Sequence, residues 1–466
     1  MTAGSTTHAP RAHDPDASPA VGARVRIESR ASSGSPAVAL VALACGAAWI
    51  ALLYPGFMSP DSANQLGQAR SGVLSDWHSP IMVLLWMASE RVIAGPGGML
   101  VLQTIVLWSG LALLARRIAA PTWAQTAFLI ALACAPPILT IAGAIWKDVV
   151  MAALLTLAFG VAGRRLAFWP VALLATMSRH NAIPAVTVAV LLHLAPSGPS
   201  LPALWRALAA SAALLAVAQG LDAAVVDTRT TPAQIVALTD LNGIAKRTGA
   251  LPAVDPCHHK TSEQPPPRAA SMDEPKIRAA LERTRRRLGI CMDEAASRTL
   301  LEQWVRLVFE HPLAYADVRA YMAFRLLGFR ETPVNFVMTQ SNYDAARGIE
   351  PPVPPTPAQL RLGAWIWGLG AGHLFRLWIY GVVGLGAVLV AARRRRWWPC
   401  AVALSGIAFE LVLFLVAPLP EYRYSYWMIV SALIAATWLA VEAIGGRSLG
   451  LRADVTRRAS RAAPPA

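Results

Sequence analysis

Acidic residues are scarce in this chain. Its 466 residues hold 27 Asp and Glu against 42 Lys and Arg, and charged residues are only 15% of the total. An average soluble domain carries about 25%, so an ordinary soluble fold is excluded. Cysteine is scarce as well, with five residues and no paired CxxC, which removes zinc ribbons and thioredoxin-type redox motifs. No phosphate-binding GxxxxGK[ST] loop, no GxGxxG fingerprint and no HExxH helix occurs, so the sequence offers no nucleotide site or zincin centre. No internal repeat is found either.

What is present is apolar. Hydrophobic residues make up 55% of the chain, the mean hydropathy is +0.45, and apolar runs near the spanning length of about 20 residues recur throughout. The expected fold class is an all-α polytopic membrane protein. The sixteen Trp suit interfacial belts. A formal charge of +15 would suggest nucleic acid in a soluble protein. Here the arginines sit in short clusters between apolar runs, so membrane topology explains them and no nucleic-acid partner is expected.

The positive-inside rule orders the chain. Residues 1–35, rich in Pro, Ala, Ser and Arg, read as a disordered cytoplasmic tail and not as a signal peptide. Arg24, Arg26 and Arg30 precede a first span at 36–54. An outer loop at 55–98 follows. Its apolar stretch after His78 is too short to cross and reads as a helix lying at the outer interface. Further spans are expected near 99–115, 122–141, 149–163, 166–177, 182–194 and 203–221, with Arg116-Arg117 and Arg164-Arg165 inside. Residues 222–360 form a long polar segment, expected to be a small helix-rich outer domain with flexible linkers. The C-terminal membrane part, 361–445, has spans near 374–392, 397–416 and 425–444, with Arg393–Arg396 inside and a basic cytoplasmic tail at 446–466. The total is about ten crossings with both termini cytoplasmic.

Under this topology one surface collects Asp61, Asp76, His78, Lys147, Asp148, Arg179, His180, Asn181, Glu421 and Arg423, while the other carries almost only arginine. Acids, imidazoles and cations meeting at one interface suit proton transfer combined with phosphate binding. Asp61, Asn64, Gln65 and Gln68 fall on one side of a short helix that Ser59 can cap and Pro60 can start. Glu410 stands alone within an apolar run, which makes it a further candidate. Cys257-His258-His259 has no second ligand pair at metal spacing, so no metal site is expected. Cys257 and Cys291 are the two cysteines outside the spans, and a disulfide between them is expected on an oxidising outer side.

A first span, an outer loop with an early Asp, a DxHPP-like element (Asp76, then His78-Ser79-Pro80) and an interfacial helix together resemble the GT-C superfamily of integral-membrane glycosyltransferases. Its members include the protein O-mannosyltransferases and aminoarabinose transferases. Lys147-Asp148, Arg179-His180-Asn181 and the Tyr-Arg-Tyr at 422–424 are similar to bacterial members of unknown substrate. The resemblance covers about 36–221 and 365–445. It implies a bacterial inner-membrane enzyme that takes a sugar from a polyprenyl-phosphate donor, on the outer face, to a glycan, lipid or protein acceptor.

Carried over, Asp61 matches the acid taken as general base. His78-Ser79-Pro80 matches the His-Pro-Pro element with its middle Pro replaced. Lys147, Arg179 and Arg423 match cations for the donor phosphate. Asp61 is followed by Ser62 where the family often has a second acid. That leaves open whether Asp76 or Asp148 supplies a second carboxylate and whether a divalent cation joins it; no other cofactor is expected. The rival readings are a transporter or lipid flippase, and a non-catalytic envelope assembly protein.

Overall fold

A computed structural model describes residues 35–250, 294–329, 354–370 and 372–462, with side chains to 446. Among these residues are seventeen α-helices and no strand. Five helical segments are long and apolar enough to cross a membrane: Pro36–Leu53, Pro96–Ala115, Leu201–Val225, Trp397–Val416 and Tyr422–Gly446. Thr122–Ala133 and Pro136–Ala142 add a sixth if the pair, bent by 56°, counts as one span. These features make the chain a multi-pass membrane protein. By length and composition five or six helices are able to cross where the sequence suggests about ten, because several apolar helices are short. Pro80–Glu90, Arg165–Ser178, His180–Leu194 and Leu377–Arg393 all fall in the 10–17 residue class.

Helices α1 (Pro36–Leu53) and α4 (Gly97–Ala115) run side by side in opposite directions. The Tyr54 ring at the end of α1 rests on Gly97 at the start of α4, so close that a Cβ at Gly97 would meet the ring at 2.6 Å. The intervening 54–96 segment therefore leaves and returns at one end of the bundle. It carries α2 (Pro60–Ser71) and α3 (Pro80–Glu90). Helix α3 buries Trp86 and is pinned by the Arg70–Glu90 ion pair at 2.6 Å.

Between α5 (Thr122–Ala133) and α6 (Pro136–Ala142) the chain bends at Pro136-Pro137, which lack the N–H groups that would continue the ladder. A carbonyl freed in an apolar layer must find another donor. Trp49 Nε1 donates to Ala133 O at 3.1 Å, and Gln103 Nε2 donates to Ala142 O at 2.9 Å and Ala144 O at 3.2 Å. The chain then enters α7 (Lys147–Val161), α8 (Arg165–Ser178), α9 (Ile183–Leu194) and α10 (Leu201–Val225).

One end of the bundle is basic. Arg117 donates to Gly160 O and Ala162 O at 3.2 and 2.8 Å and lies over Trp398 at 3.7 Å. Glu442 accepts from Ala119 N and pairs with Arg396. These contacts place the arginine clusters at 116–117, 164–165 and 393–396 together, away from the end that holds Asp61.

At that second end, α11 (Gln234–Thr248) and α12 (Glu294–Glu310) bury Leu241, Leu300 and Leu307 between them, and α13 (Pro312–Leu326) packs against α11. Helix α14 (Pro357–Gly370) follows, and α15 (Leu377–Arg393), α16 (Trp397–Val416) and α17 (Tyr426–Ala462) complete the bundle. The 222–360 segment is thus helix-rich where described, as expected. Cys257 and Cys291 lie outside the described residues, and so does the 1–34 tail.

Candidate functional site

The Asp61 loop is built by local rules and then locked to a distant segment. Ser59 and Ser62 form a reciprocal cap at the start of α2, with Pro60 in its first turn and Gly72 left-handed at its end. Phe57 N donates to Gly143 O at 2.8 Å and Ile145 N to Phe57 O at 2.9 Å. Ser62 Oγ donates to Ile145 O at 2.7 Å, and Trp146 Nε1 donates to Ser59 Oγ at 2.8 Å. Gly56, at φ +99°, makes the turn into this pairing, and any Cβ there would strike Ile145 at 2.8 Å. The first turn of α2 is thereby set beside Trp146-Lys147-Asp148.

A third segment closes on these two. The 3₁₀ turn Tyr422–Ser425 carries Arg423. Arg423 Nη1 donates to Asp61 Oδ2 at 2.7 Å, its Nε donates to Glu421, and its guanidinium lies 4.8 Å from the Trp146 ring and 5.3 Å from the Tyr424 ring. The turn is braced from the bundle. Tyr422 and Tyr426 donate to Pro137 O and Ile138 O at 3.1 and 3.0 Å, and Ser425 Oγ donates to buried Glu410 at 2.9 Å. A fourth segment brings Arg179 from the end of α8. It is ion-paired with fully buried Asp148 and lies 5.0 Å from the other participating ring, Tyr424.

The charges are unevenly matched. Arg179 has Asp148, and Arg423 has both Asp61 and Glu421. Lys147 has no hydrogen-bond or ion-pair partner among the described residues. Burial, then the neighbouring Arg179 and Arg423, push its ammonium down to about 7 against the pull of Asp61. His78 is also buried, with Nδ1 unpartnered. Burial and Lys147 push it down to about 4, so it is neutral at pH 7. Burial tends to raise the Asp61 carboxyl, but Arg423, His78 and Lys147 outweigh it and hold the group below its usual range. Asp61 Oδ1 carries no hydrogen bond among the described residues.

Other candidates have structural partners. Asp76 accepts from Thr230 N and Oγ1 at 2.6 Å each and from Thr231 N at 3.2 Å, which ties the loop's end to the 226–231 segment. Asp148 is ion-paired with Arg179. His180 Nε2 lies 2.9 Å from Asp222, and Asn181 makes no side-chain hydrogen bond among the described residues. Ser79 Oγ donates to Met177 O at 2.5 Å, joining the His78-Ser79-Pro80 element to the end of α8 near Arg179.

Among the described residues no group of three or more His, Cys, Asp or Glu is arranged for a metal ion. Sequence reasoning missed Trp146 and Asp222. It also missed Asp240, which pairs with Arg319 in full burial, accepts from Trp304 Nε1 at 2.9 Å, and fixes an arginine that donates to Ala417 O at 2.9 Å. The only signal in the sequence was adjacency: Trp146 precedes Lys147. Compared with known protein families, characterised proteins and solved structures, the chain matches none.

Proposed function

We propose that this protein is a GT-C-like glycosyltransferase of a bacterial inner membrane, moving a sugar from a polyprenyl-phosphate donor to an envelope acceptor on the outer face. The observation that carries the reading is the meeting of Asp61, Lys147, Arg179 and Arg423, from four separate segments, at the end of the bundle opposite the arginine clusters. In this reading the 149–163 run, Arg165–Ser178, His180–Leu194, Leu377–Arg393 and the bent pair also cross, about ten spans in all with both termini inside, while Pro80–Glu90 lies at the outer interface.

The chemistry follows from the charge pattern. Asp61 is held ionised by Arg423 through one oxygen, and its other oxygen takes the proton of an acceptor hydroxyl. The acceptor oxygen bonds to the anomeric carbon as the carbon–phosphate-oxygen bond breaks. The electron pair leaves on the lipid phosphate, and direct displacement inverts the anomeric centre. Lys147, lacking an acid of its own, meets the phosphate, with Arg179 and Arg423 behind it. Glu410 and Glu421 hold the Arg423 turn in place.

The test is Asp61→Asn. Envelope glycans from a strain carrying only this variant should match those of a deletion strain by mass analysis, with normal membrane levels of the protein. Wild-type glycans in that strain would overturn the assignment of the base.

A further inference from the structure

Helices α11 and α13 leave a slot of about 310 Å³ on the face of the outer helices, at the low end of small-molecule sites, which span about 300–1,000 Å³. Its two walls differ in chemistry. Thr239, Asn242 and Lys246 recur at helical spacing along α11 and form a polar wall; Val318, Tyr321 and Met322 on α13 form an apolar, aromatic one. The floor is rigid, since a Cβ at Gly243 would strike Val318 at 2.5 Å.

Three observations point to an occupant. Asn242 Oδ1 is buried with no hydrogen-bond partner, a costly state unless a donor arrives. Lys246 is exposed and has no ion pair among the described residues, whereas its neighbour Arg247 is engaged by Asp317 and Gly243 O. Tyr321 is 49% exposed and presents an aromatic surface to the slot.

We infer that this slot binds an acidic saccharide. A sugar ring offers an apolar C–H face for Tyr321, a hydroxyl donor for Asn242 Oδ1 and, when it bears a carboxylate, an anion for Lys246. The slot also adjoins the candidate site. Thr239 lines it and donates to Pro418 O at 3.0 Å. Arg423 lies five positions after Pro418, a reach of at most about 18 Å. Resting on the glycosyl-transfer reading, the bound saccharide is the acceptor; the binding itself is independent of that reading.

The test is calorimetric titration of the full-length, detergent-solubilised protein with tetragalacturonate, with maltotetraose and hexaglutamate as controls. Tetragalacturonate should bind, and more tightly than either control. Tyr321→Ala and the exposed-site variant Lys246→Gln should each weaken it at least tenfold, while Asp61→Asn should bind it normally. Absence of tetragalacturonate binding, equal affinity in Lys246→Gln and wild type, or preference for hexaglutamate overturns the inference. Normal binding alongside unaltered glycans in the Asp61→Asn strain would instead count against the transferase reading alone.

Discussion

Arg423 reaches Asp61 across 362 positions of sequence, Nη1 to Oδ2 at 2.7 Å. The same guanidinium is held by Glu421 and flanked by two aromatic rings, so its orientation is fixed before any ligand arrives. Its planar fork offers each acid a separate N–H in a fixed direction, which the rotating ammonium of a lysine does not.

The pair should behave as a unit. Asp61→Asn and Arg423→Met should each lower the melting temperature, but the double variant should fall short of their sum. The coupling should be about 1.5–3 kcal/mol, the range for hydrogen bonds to charged groups. Thermal melting of the four proteins in one detergent measures it. Additive losses would mean that the contact is incidental.

Lys147 makes anion binding depend on pH. Its folded value is depressed to about 7, so the ammonium is charged below that pH and neutral above it. Undecaprenyl phosphate should therefore bind progressively less well through Lys147 as pH rises past 7, where the phosphate's own charge is already complete. Lys147→Met should bind weakly throughout and flatten the profile. Changes in tryptophan fluorescence, with Trp146 adjacent, provide the readout.

Asp76 has a different fate. Its three hydrogen bonds run to Thr230 and Thr231, not to the Asp61 cluster. Asp76→Ala should destabilise the protein by about 1–3 kcal/mol through the unpaired buried N–H of Thr230. Affinity for undecaprenyl phosphate, measured below the variant's melting transition, should stay within a few-fold of wild type.

Asp240 and Arg319 form a buried pair whose second contact is the Ala417 carbonyl at the end of α16. Removing Arg319 alone leaves a buried carboxylate, at a cost of about 3–5 kcal/mol. Arg319→Met should therefore melt far earlier than wild type, and Asp240→Leu combined with Arg319→Met should recover much of the loss. A double variant no better than the single one would show that the Ala417 contact dominates.

The bundle was legible because its signals are local or periodic. Ser59 and Pro60 mark a helix start wherever they sit, and Arg116-Arg117 marks an end. Reading 80–90 as a helix that does not cross rested on its length and on the arginines after 115, and the Tyr54–Gly97 contact agrees. The partners within the site were not legible. Asp76, Asp148 and Asp61 look alike in sequence, yet Thr230, Arg179 and Arg423 separate their roles from 154, 31 and 362 positions away. Span number failed to resolve for a related reason. Helices such as Arg165–Ser178 derive their length from neighbours, and apolar runs do not record where a helix breaks.

The Tyr54–Gly97 closure has a topological consequence. Because the chain re-enters the bundle beside the point where it left, the segment between does not set the direction of any later helix. Its removal would cost the bundle Asp61 and the bonds to Ile145, Arg423 and Thr230, and would leave the order of the remaining helices as it is.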